Sequence, residues 1–247
     1  MDTIKVDRKQ TKMVAHRGLA GIEKENTCSA FVAAGNRSYF GVETDVHVTK
    51  DGKYVIFHDD NLERVSGINA AVEESTYEQL RRVVLFDKDN IKGRIDLMIP
   101  SLEEYLSICC KYGKTCVLEL KNKFSPRDID NVIKIVRSVY SLKKVIFISF
   151  VLENLTYIRK KLKNQKLQFL LCDFNENAEG QKFSDRLLQL KQNSLDIDIL
   201  YTSLTEENVK ILHNNGIEIN TWNVNDKNYA QKLINMGVDY LTTETLE

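Results

Sequence analysis

The sequence reads VAHRG at residues 14–18, VETDVHVTKDG at residues 42–52 and VIFHD at residues 55–59. Alternate residues of a β-strand point to the same side, so Glu43 and Asp45 project together from the second segment. Residues 49–52 have the composition of a hairpin turn, and such a turn returns His58 toward the two carboxylates. Neighbouring carboxylates repel each other unless a cation lies between them. The three segments therefore predict a cation site beside a histidine.

Apolar strand-like runs alternate with helix-period segments along the rest of the chain. Ser101 and Glu104 have the spacing of a capping box that begins a helix, and Gly113 follows that helix as a C-terminal cap. Residues 175–193 are predicted to form a loop and a helix. With the hairpin return set aside, the sequence predicts eight strands: Lys12–His16, Phe40–Val48, Thr115–Lys121, Val145–Phe150, Leu167–Cys172, Ile197–Thr202, Ile217–Val224 and Val238–Thr242. Eight βα units favour a closed (β/α)8 barrel of parallel strands, with a doubly wound open sheet as the alternative.

The chain length of 247 residues matches one such barrel. We therefore expect residues 1–247 to form a single domain. Within it, residues 49–100 are predicted to form the β-hairpin and a short insertion at the mouth of the barrel. The insertion should contain one short helix after Ser75 and Thr76.

Composition excludes several classes of partner. Lysine and arginine number 35, as do aspartate and glutamate, so no strong field attracts nucleic acid or an anionic membrane surface. The first ten residues lack the apolar core of a signal peptide, and no run of about 18 apolar residues occurs. We therefore expect a cytoplasmic protein without stable membrane insertion. The five cysteines contain no C-x-x-C pair and are expected to be reduced thiols. Nothing in the sequence indicates the oligomeric state.

Polar side chains occur where the predicted strands end, which is where barrel enzymes carry their chemistry. Glu119 lies near the end of the third predicted barrel strand and would join Glu43 and Asp45 in an all-oxygen cluster. Such ligands favour magnesium, calcium or manganese over zinc, and we expect one divalent cation, Mg²⁺ or Ca²⁺ or else Mn²⁺. The alternative is that each carboxylate is an ion-pair partner of Arg17 or Lys121 inside the barrel.

These motifs resemble those of a known enzyme family. HRG at residues 16–18, ENT at 25–27, ETDVHVTKDG at 43–52 and FHD at 57–59 are similar to the signature of the glycerophosphodiester phosphodiesterases. WNVN at residues 222–225 is similar to the family's WTVN. The resemblance implies a TIM barrel that hydrolyses a small glycerophosphodiester to glycerol 3-phosphate and an alcohol. It also assigns the metal to Glu43, Asp45 and Glu119.

The resemblance further implies roles for five other residues. His16 would be the general base and His58 the general acid, because imidazole suits both tasks near neutral pH. In one mechanism proposed for the family, the neighbouring glycerol hydroxyl attacks phosphorus and gives a cyclic phosphate that water later opens. Arg17 and Lys121 would bind the nonbridging phosphate oxygens, although Lys121 could instead only pair with Glu119. Trp222 would line the substrate site or simply pack at the rim. His47 is interpreted as a hairpin residue and His213 as a helix-end residue.

The chain departs from the family at its end. GVDYLTTETL at residues 237–246 lacks the Asp and Pro of the family's G-V-D-x-x-x-T-D-x-P. It leaves no room for a full eighth helix, so the N-terminal leader is expected to cover the last seam of the barrel. Two alternative functions remain open. One is a lysophospholipase D or sphingomyelinase D on the same barrel, against which the short charged segment at residues 87–94 argues. The other is an inactive barrel that binds a phosphate-bearing ligand.

Overall fold

A computed structural model describes residues 2–174 and 182–247 of the chain. Its strands are β1 (Lys12–Ala15), β2 (Gly41–Val48), β3 (Tyr54–Ile56), β4 (Thr115–Leu120), β5 (Val145–Ser149), β6 (Lys166–Leu171), β7 (Asp196–Leu200), β8 (Ile219–Trp222) and β9 (Tyr240–Thr243). Within the described residues, eight parallel strands close into a barrel in the order β1, β2, β4, β5, β6, β7, β8, β9 and back to β1. The predicted (β/α)8 barrel is confirmed, and the open sheet is excluded by the pairing of β1 with both β2 and β9.

Helices surround this barrel and connect its strands. They are α1 (Cys28–Gly35), α2 (Glu63–Ser66), α3 (Tyr77–Arg81), α4 (Leu102–Tyr112), α5 (Pro126–Val139), α6 (Leu152–Lys161), α7 (Phe183–Asn193), α8 (Glu206–Asn214) and α9 (Lys227–Met236). Ser101 and Glu104 form the predicted capping box, and Gly113 ends α4 in the left-handed conformation. The loop predicted for residues 175–181 lies outside the described residues. None of the helices in the described ranges is long and apolar enough to cross a membrane.

The hairpin strand β3 pairs antiparallel with β2. The backbone N–H of Phe57 donates to the carbonyl of Asp45 at 3.0 Å and so directs the chain toward the end of β2. The insertion that follows contains α3 as predicted, but also α2, which periodicity could not indicate in four residues. A separate apolar cluster holds it together: Val55, Phe57, Leu62, Val65, Val72, Leu80, Val83, Leu85, Leu97 and Ile99. Asn122, two residues beyond β4, donates to Asp60 at 3.1 Å, so the insertion contacts the carboxyl end of the barrel.

The N-terminal leader pairs with the residues that follow β9. Ile4 donates its N–H to the carbonyl of Thr245 at 2.9 Å, and Val6 donates to that of Glu247 at 3.0 Å. Leu246 is buried in the main core. The carboxylate of Glu247 accepts a bond from the N–H of Ser38, in the loop before β2, at 2.7 Å. The leader is therefore bonded to the segment that follows β9, and its coverage of the last seam stays a prediction.

The inside of the barrel combines apolar and polar residues. Val14, Val117, Ile146, Ile148, Leu170 and Tyr240 form an interior apolar cluster that is separate from the core between strands and helices. Burial of each such side chain stabilises the fold by about 1.5–3 kcal/mol. Buried polar residues interrupt this packing on most of the strands: Glu43, Asp45, Glu119, Gln168, Asp198, Asn220 and Thr242. A barrel interior with this many polar groups indicates a site within it.

Candidate active site

A cavity of about 370 Å³ opens at the carboxyl ends of the strands. Its walls contain every residue that the sequence analysis assigned to the site: His16, Arg17, Glu43, Asp45, His58, Glu119, Lys121 and Trp222. They come from β1, β2, β4 and β8 and from the hairpin. The remaining wall residues are Ile148, Phe150, Leu170, Asp198, Asn223 and Thr242. The size of the cavity is that of a small-molecule site.

Three carboxylates converge on one side of the cavity. Asp45 of β2 stands in register with Glu119 of β4, and Glu43 lies on the same face of β2 as Asp45. One oxygen from each residue can be chosen so that all three lie within 4.8 Å of one another. Each of the three residues is buried, with at most 7% of its surface exposed. The predicted cluster is therefore present in the structure.

The electrostatics of this cluster suit a cation. Burial, together with Asp45 and Glu119, raises the pKa of Glu43 well above its usual range. Burial and Asp45 likewise raise the pKa of Glu119 to about 8. For Asp45 burial acts in the same direction, but Lys121 and Arg17 outweigh it and hold the pKa below the usual range. A divalent ion would relieve the repulsion, and three carboxylates are the donor set that Mg²⁺, Ca²⁺ or Mn²⁺ prefers. The residues present thus fit such an ion.

Arg17 and Lys121 stand beside the carboxylates. Nε of Arg17 lies 3.6 Å from Oδ2 of Asp45, and its backbone N–H donates to Oε2 of Glu43 at 2.8 Å. Nζ of Lys121 lies 3.4 Å from Oδ1 of Asp45 and 2.9 Å from Oε1 of Glu119. The ion pairs that the sequence offered as an alternative to a metal site are thus formed. Both side chains also line the cavity, where they can meet an anionic ligand.

The turn after β1 has two residues with positive φ and passes close to α1. Arg17 and Gly18 both have positive φ, and a Cβ on Gly18 would lie 2.7 Å from the backbone of Ala30 in α1. Asn26 donates to Oδ2 of Asp45 at 2.8 Å and accepts from Thr44 at 2.7 Å. The loop at residues 25–26 therefore supports the carboxylate of Asp45 through Asn26.

Each candidate histidine contacts a carboxylate through Nδ1. For His16 the partner is Oε1 of Glu244 at 3.3 Å, and its Nε2 lies 4.0 Å from Oε2 of Glu43. For His58 the partner is Oδ1 of Asp59 at 2.6 Å. A carboxylate on one ring nitrogen fixes the orientation of the imidazole and leaves the other nitrogen for chemistry. Burial lowers the pKa of His58, against the opposing effect of Asp45.

Aromatic and aliphatic side chains form the opposite wall. Trp222 meets Phe150 edge to face, with ring centroids 6.0 Å apart. Ile148 and Leu170 continue this wall into the barrel. Phe150 is 42% exposed and reaches the mouth. The cavity therefore has a charged side on β1, β2 and β4 and an apolar side on β5, β6 and β8.

The other two histidines do not line the cavity. His47 is buried on β2, with Nδ1 3.0 Å from Glu73 of the insertion, as expected of a hairpin residue. His213 at the end of α8 pairs with Asp239 at 3.0 Å. The sequence analysis missed Asp198 and Glu244. An acidic residue inside the apolar strand run DIDIL was a signal for Asp198, and Glu244 follows the last strand as polar site residues do in barrels.

Comparison with known proteins places the chain among enzymes. The model of the glycerophosphoryl diester phosphodiesterase family matches residues 16–247. A glycerophosphodiester phosphodiesterase of Bacillus altitudinis is 27% identical over 237 residues, which cover 95% of this chain and 94% of that protein. A human lysophospholipase D is 40% identical over 76 residues, which cover 31% of this chain and 24% of that protein.

Solved structures show the same fold. The structure of a phosphodiesterase from Oleispira antarctica, in complex with the product sn-glycerol-3-phosphate, has a TM-score of 0.83 at 23% identity and covers 95% of this chain and 93% of that one. The match of the family model to residues 16–247 confirms the family resemblance over nearly the whole chain. The chain belongs to the glycerophosphoryl diester phosphodiesterase family of phosphoric diester hydrolases.

Proposed function

We propose that the chain hydrolyses glycerophosphodiesters to glycerol 3-phosphate and an alcohol with a bound divalent cation, using His16 and His58 as acid–base pair. Family membership supports the class of reaction. The observation that carries the finer proposal is the shared cavity in which both imidazoles lie beside the three-carboxylate cluster. The Oleispira antarctica neighbour, which holds sn-glycerol-3-phosphate, supports the product.

Glu43, Asp45 and Glu119 would hold the cation, Mg²⁺ or Ca²⁺ or Mn²⁺. When bound, it supplies positive charge that lowers the energy of a phosphate on which negative charge grows. Arg17 and Lys121 act on the same phosphate from the protein side, as donors to its nonbridging oxygens. Their present contacts with Asp45 hold both head groups at the edge of the cluster.

The two histidines move the protons. Nε2 of His16 takes the proton from the attacking hydroxyl, and the carboxylate of Glu244 on Nδ1 stabilises the imidazolium that results. His58 gives its proton to the oxygen of the departing alcohol, while Asp59 holds its ring in place. If the attacking group is the neighbouring glycerol hydroxyl, the product is a cyclic phosphate. Water then opens that ring with the roles of the histidines exchanged, which restores both protonation states.

Two substrate classes can be distinguished. We propose a water-soluble glycerophosphodiester such as glycerophosphocholine or glycerophosphoethanolamine as the substrate. The half-exposed Phe150 beside Trp222, together with the partial match to a human lysophospholipase D, is the observation that favours a lipid-headed diester as second candidate. A cytoplasmic location stays a prediction from the sequence.

A coupled assay for glycerol 3-phosphate tests the proposal. Wild-type protein is incubated with glycerophosphocholine, glycerophosphoethanolamine and, in parallel, lysophosphatidylcholine, each with Mg²⁺ or Ca²⁺ and with excess EDTA. We expect glycerol 3-phosphate from the first two substrates, loss of activity in EDTA and recovery on adding the cation. Choline release from the lysolipid alone would favour the second candidate. Binding without turnover of any substrate would identify an inactive phosphate-binding barrel.

A further inference from the structure

The closed end of the cavity contains a carboxyl group that the proposed chemistry does not use. Asp198 of β7 lines the cavity and is 2% exposed. Its Oδ2 accepts a bond from Nδ2 of Asn220 at 3.1 Å. Its Oδ1 is buried and has no hydrogen-bond partner within residues 2–174 and 182–247. A buried polar atom without a partner destabilises the fold and calls for an explanation.

No neighbouring side chain within the described residues forms the missing bond, and Nε2 of Gln168, in the same network, also lacks a partner. Nδ2 of Asn220 also donates to Oε1 of Gln168 at 3.1 Å. These two bonds use both hydrogens of the Asn220 amide. Oγ1 of Thr242 donates to Oδ1 of Asn220 at 3.2 Å and is likewise engaged. Burial, reinforced by the negative charge of Glu119, raises the pKa of Asp198 well above its usual range. No lysine or arginine of the described chain forms an ion pair with Asp198.

The position of Asp198 selects the kind of group that could reach it. The mouth of the cavity is open beside the half-exposed Phe150, so a large and variable alcohol can lie there. The closed end lies inside the barrel, between Leu170 and Asn220 in register with Asp198. The small group that is common to every glycerophosphodiester is the glycerol moiety, and its size suits this buried end.

We propose that Asp198 is a specificity residue whose Oδ1 accepts a hydrogen bond from the terminal hydroxyl of the substrate's glycerol moiety. A hydroxyl satisfies the unpaired oxygen without bringing a further charge into the barrel. The apolar residues Ile148 and Leu170 beside it contact the glycerol carbons. This inference rests on the proposed function, because it names the part of that substrate which enters the closed end.

A pair of substrates isolates this hydroxyl. 2-Hydroxypropyl phosphocholine of matching configuration lacks the terminal hydroxyl of glycerophosphocholine but keeps the hydroxyl next to the phosphate ester. For wild-type protein we expect kcat/KM to be about 10- to 100-fold higher with glycerophosphocholine, the ratio that one buried hydrogen bond supports. The leucine side chain has a shape similar to that of aspartate but no polar atom. The Asp198→Leu variant should therefore hydrolyse both substrates with similar kcat/KM. Because the substitution also removes the acceptor of Nδ2 of Asn220, the melting temperature of the variant is measured to check that it folds.

Gln168→Leu is the matched control. Gln168 belongs to the same polar network through Asn220 but does not line the cavity. This variant should keep the wild-type preference for the terminal hydroxyl. A general loss of barrel packing would instead reduce the preference in both variants.

Three outcomes overturn the inference: a wild-type protein indifferent to the terminal hydroxyl, an Asp198→Leu variant that keeps the wild-type preference, or a Gln168→Leu variant that loses it equally. If Asp198→Leu does not fold, Asp198→Asn replaces it. The amide oxygen of that side chain still accepts a bond from Asn220, but its NH₂ group faces the cavity as a donor. Calorimetric titration should therefore show a smaller binding preference for glycerol 3-phosphate over 2-hydroxypropyl phosphate than in wild type. An unchanged preference there also overturns the inference. Absence of wild-type activity on both diesters would refute the proposed function itself.

Discussion

Nδ1 of His16 lies 3.3 Å from Oε1 of Glu244, so the residue after the first strand of the barrel contacts the residue after the last. Asn223 and Asn225 donate to the same carboxylate at 2.7 Å and 3.1 Å and fix its position. The bond with His16 lowers the pKa of Glu244, which keeps the group ionised at neutral pH. The departure from the family's ending thus places a longer acidic side chain against a candidate catalytic histidine.

Glu244→Gln should lower kcat by about 10-fold or more, as part of the about 10²–10⁴-fold that acid–base catalysis contributes. The neutral amide no longer stabilises the imidazolium of His16. Steady-state kinetics with glycerophosphocholine measures the change. Glu247→Gln is the control, because Glu247 contacts Lys5, Thr3 and Ser38 and not the cavity. Equal kcat values for Glu244→Gln and wild type would contradict the proposed role.

His16→Ala and His58→Ala should each lower kcat by about 10²–10⁴-fold. Each substitution removes one of the two groups that exchange protons with the substrate. His213→Gln should leave kcat unchanged, because His213 pairs with Asp239 outside the cavity. Near-normal turnover in both alanine variants would refute the histidine mechanism while leaving the barrel and the family assignment intact.

Mg²⁺ or Ca²⁺ should stabilise the protein against heat. Binding to the native state alone raises Tm by about 5–10 °C at a cation concentration 100 times Kd. Differential scanning calorimetry in EDTA and with added cation measures this shift without a substrate. Glu119→Gln should reduce the shift strongly and should itself raise Tm in EDTA, since it removes one of three crowded carboxylates. Glu153→Gln, at an exposed surface pair, is the control. A full shift in Glu119→Gln would contradict the predicted ligand set.

Arg64 links the carboxylates of Glu25 and Asp59. It donates to Glu25 at 2.7 Å and to Asp59 at 2.6 Å, and Asp59 in turn orients His58. Burial opposes ionisation of both groups. Arg64 and Arg17 together outweigh it at Glu25, where the pKa falls from 4.5 to about 2, and Arg64 and His58 outweigh it at Asp59, where the pKa falls from 3.8 to about 2. Arg64→Met should therefore reduce the free energy of unfolding by about 1–2 kcal/mol at neutral pH, after allowance for solvent screening.

The pH dependence of this effect has a definite sign. Because folding lowers both pKa values, the stabilisation is complete above the ordinary values of 4.5 and 3.8 and disappears as pH falls through about 2. The free energies of unfolding in urea of Arg64→Met and wild type should differ at pH 7 and become equal near pH 2. Arg82→Met should show no difference at either pH, since Arg82 and its partner Glu78 are both 77% exposed. A difference in the free energy of unfolding that persists near pH 2 would contradict the stabilisation of the two ionised carboxylates by Arg64.

The barrel and its charged wall could be predicted from the sequence because the signals were local. Alternation of apolar and charged residues marked Glu43, Asp45 and Glu119, and the structure places them together. Strand ends differed from prediction by up to two residues, as in β8, because hydrogen bonding rather than side-chain pattern decides where pairing stops.

The parts of the structure that the sequence did not predict depend on contacts between distant segments. Nothing local distinguishes Glu244 from another polar residue after a strand until β9 lies beside β1. Asp198 has the same strand pattern as Glu119, but its missing partner is visible only once the neighbouring strands are in place. The helix α2 contains too few residues for a periodicity and is held by the insertion's own apolar cluster.

Closure of the barrel by β1 and β9 also sets an order of events during biosynthesis. His16 and Glu244 are 228 positions apart, so the ribosome adds the carboxylate long after the histidine has left the exit tunnel. A nascent or prematurely terminated chain carries all three N-terminal motifs and yet lacks the group that holds His16 in place. The contact between His16 and Glu244 therefore forms only once β9 has paired with β1.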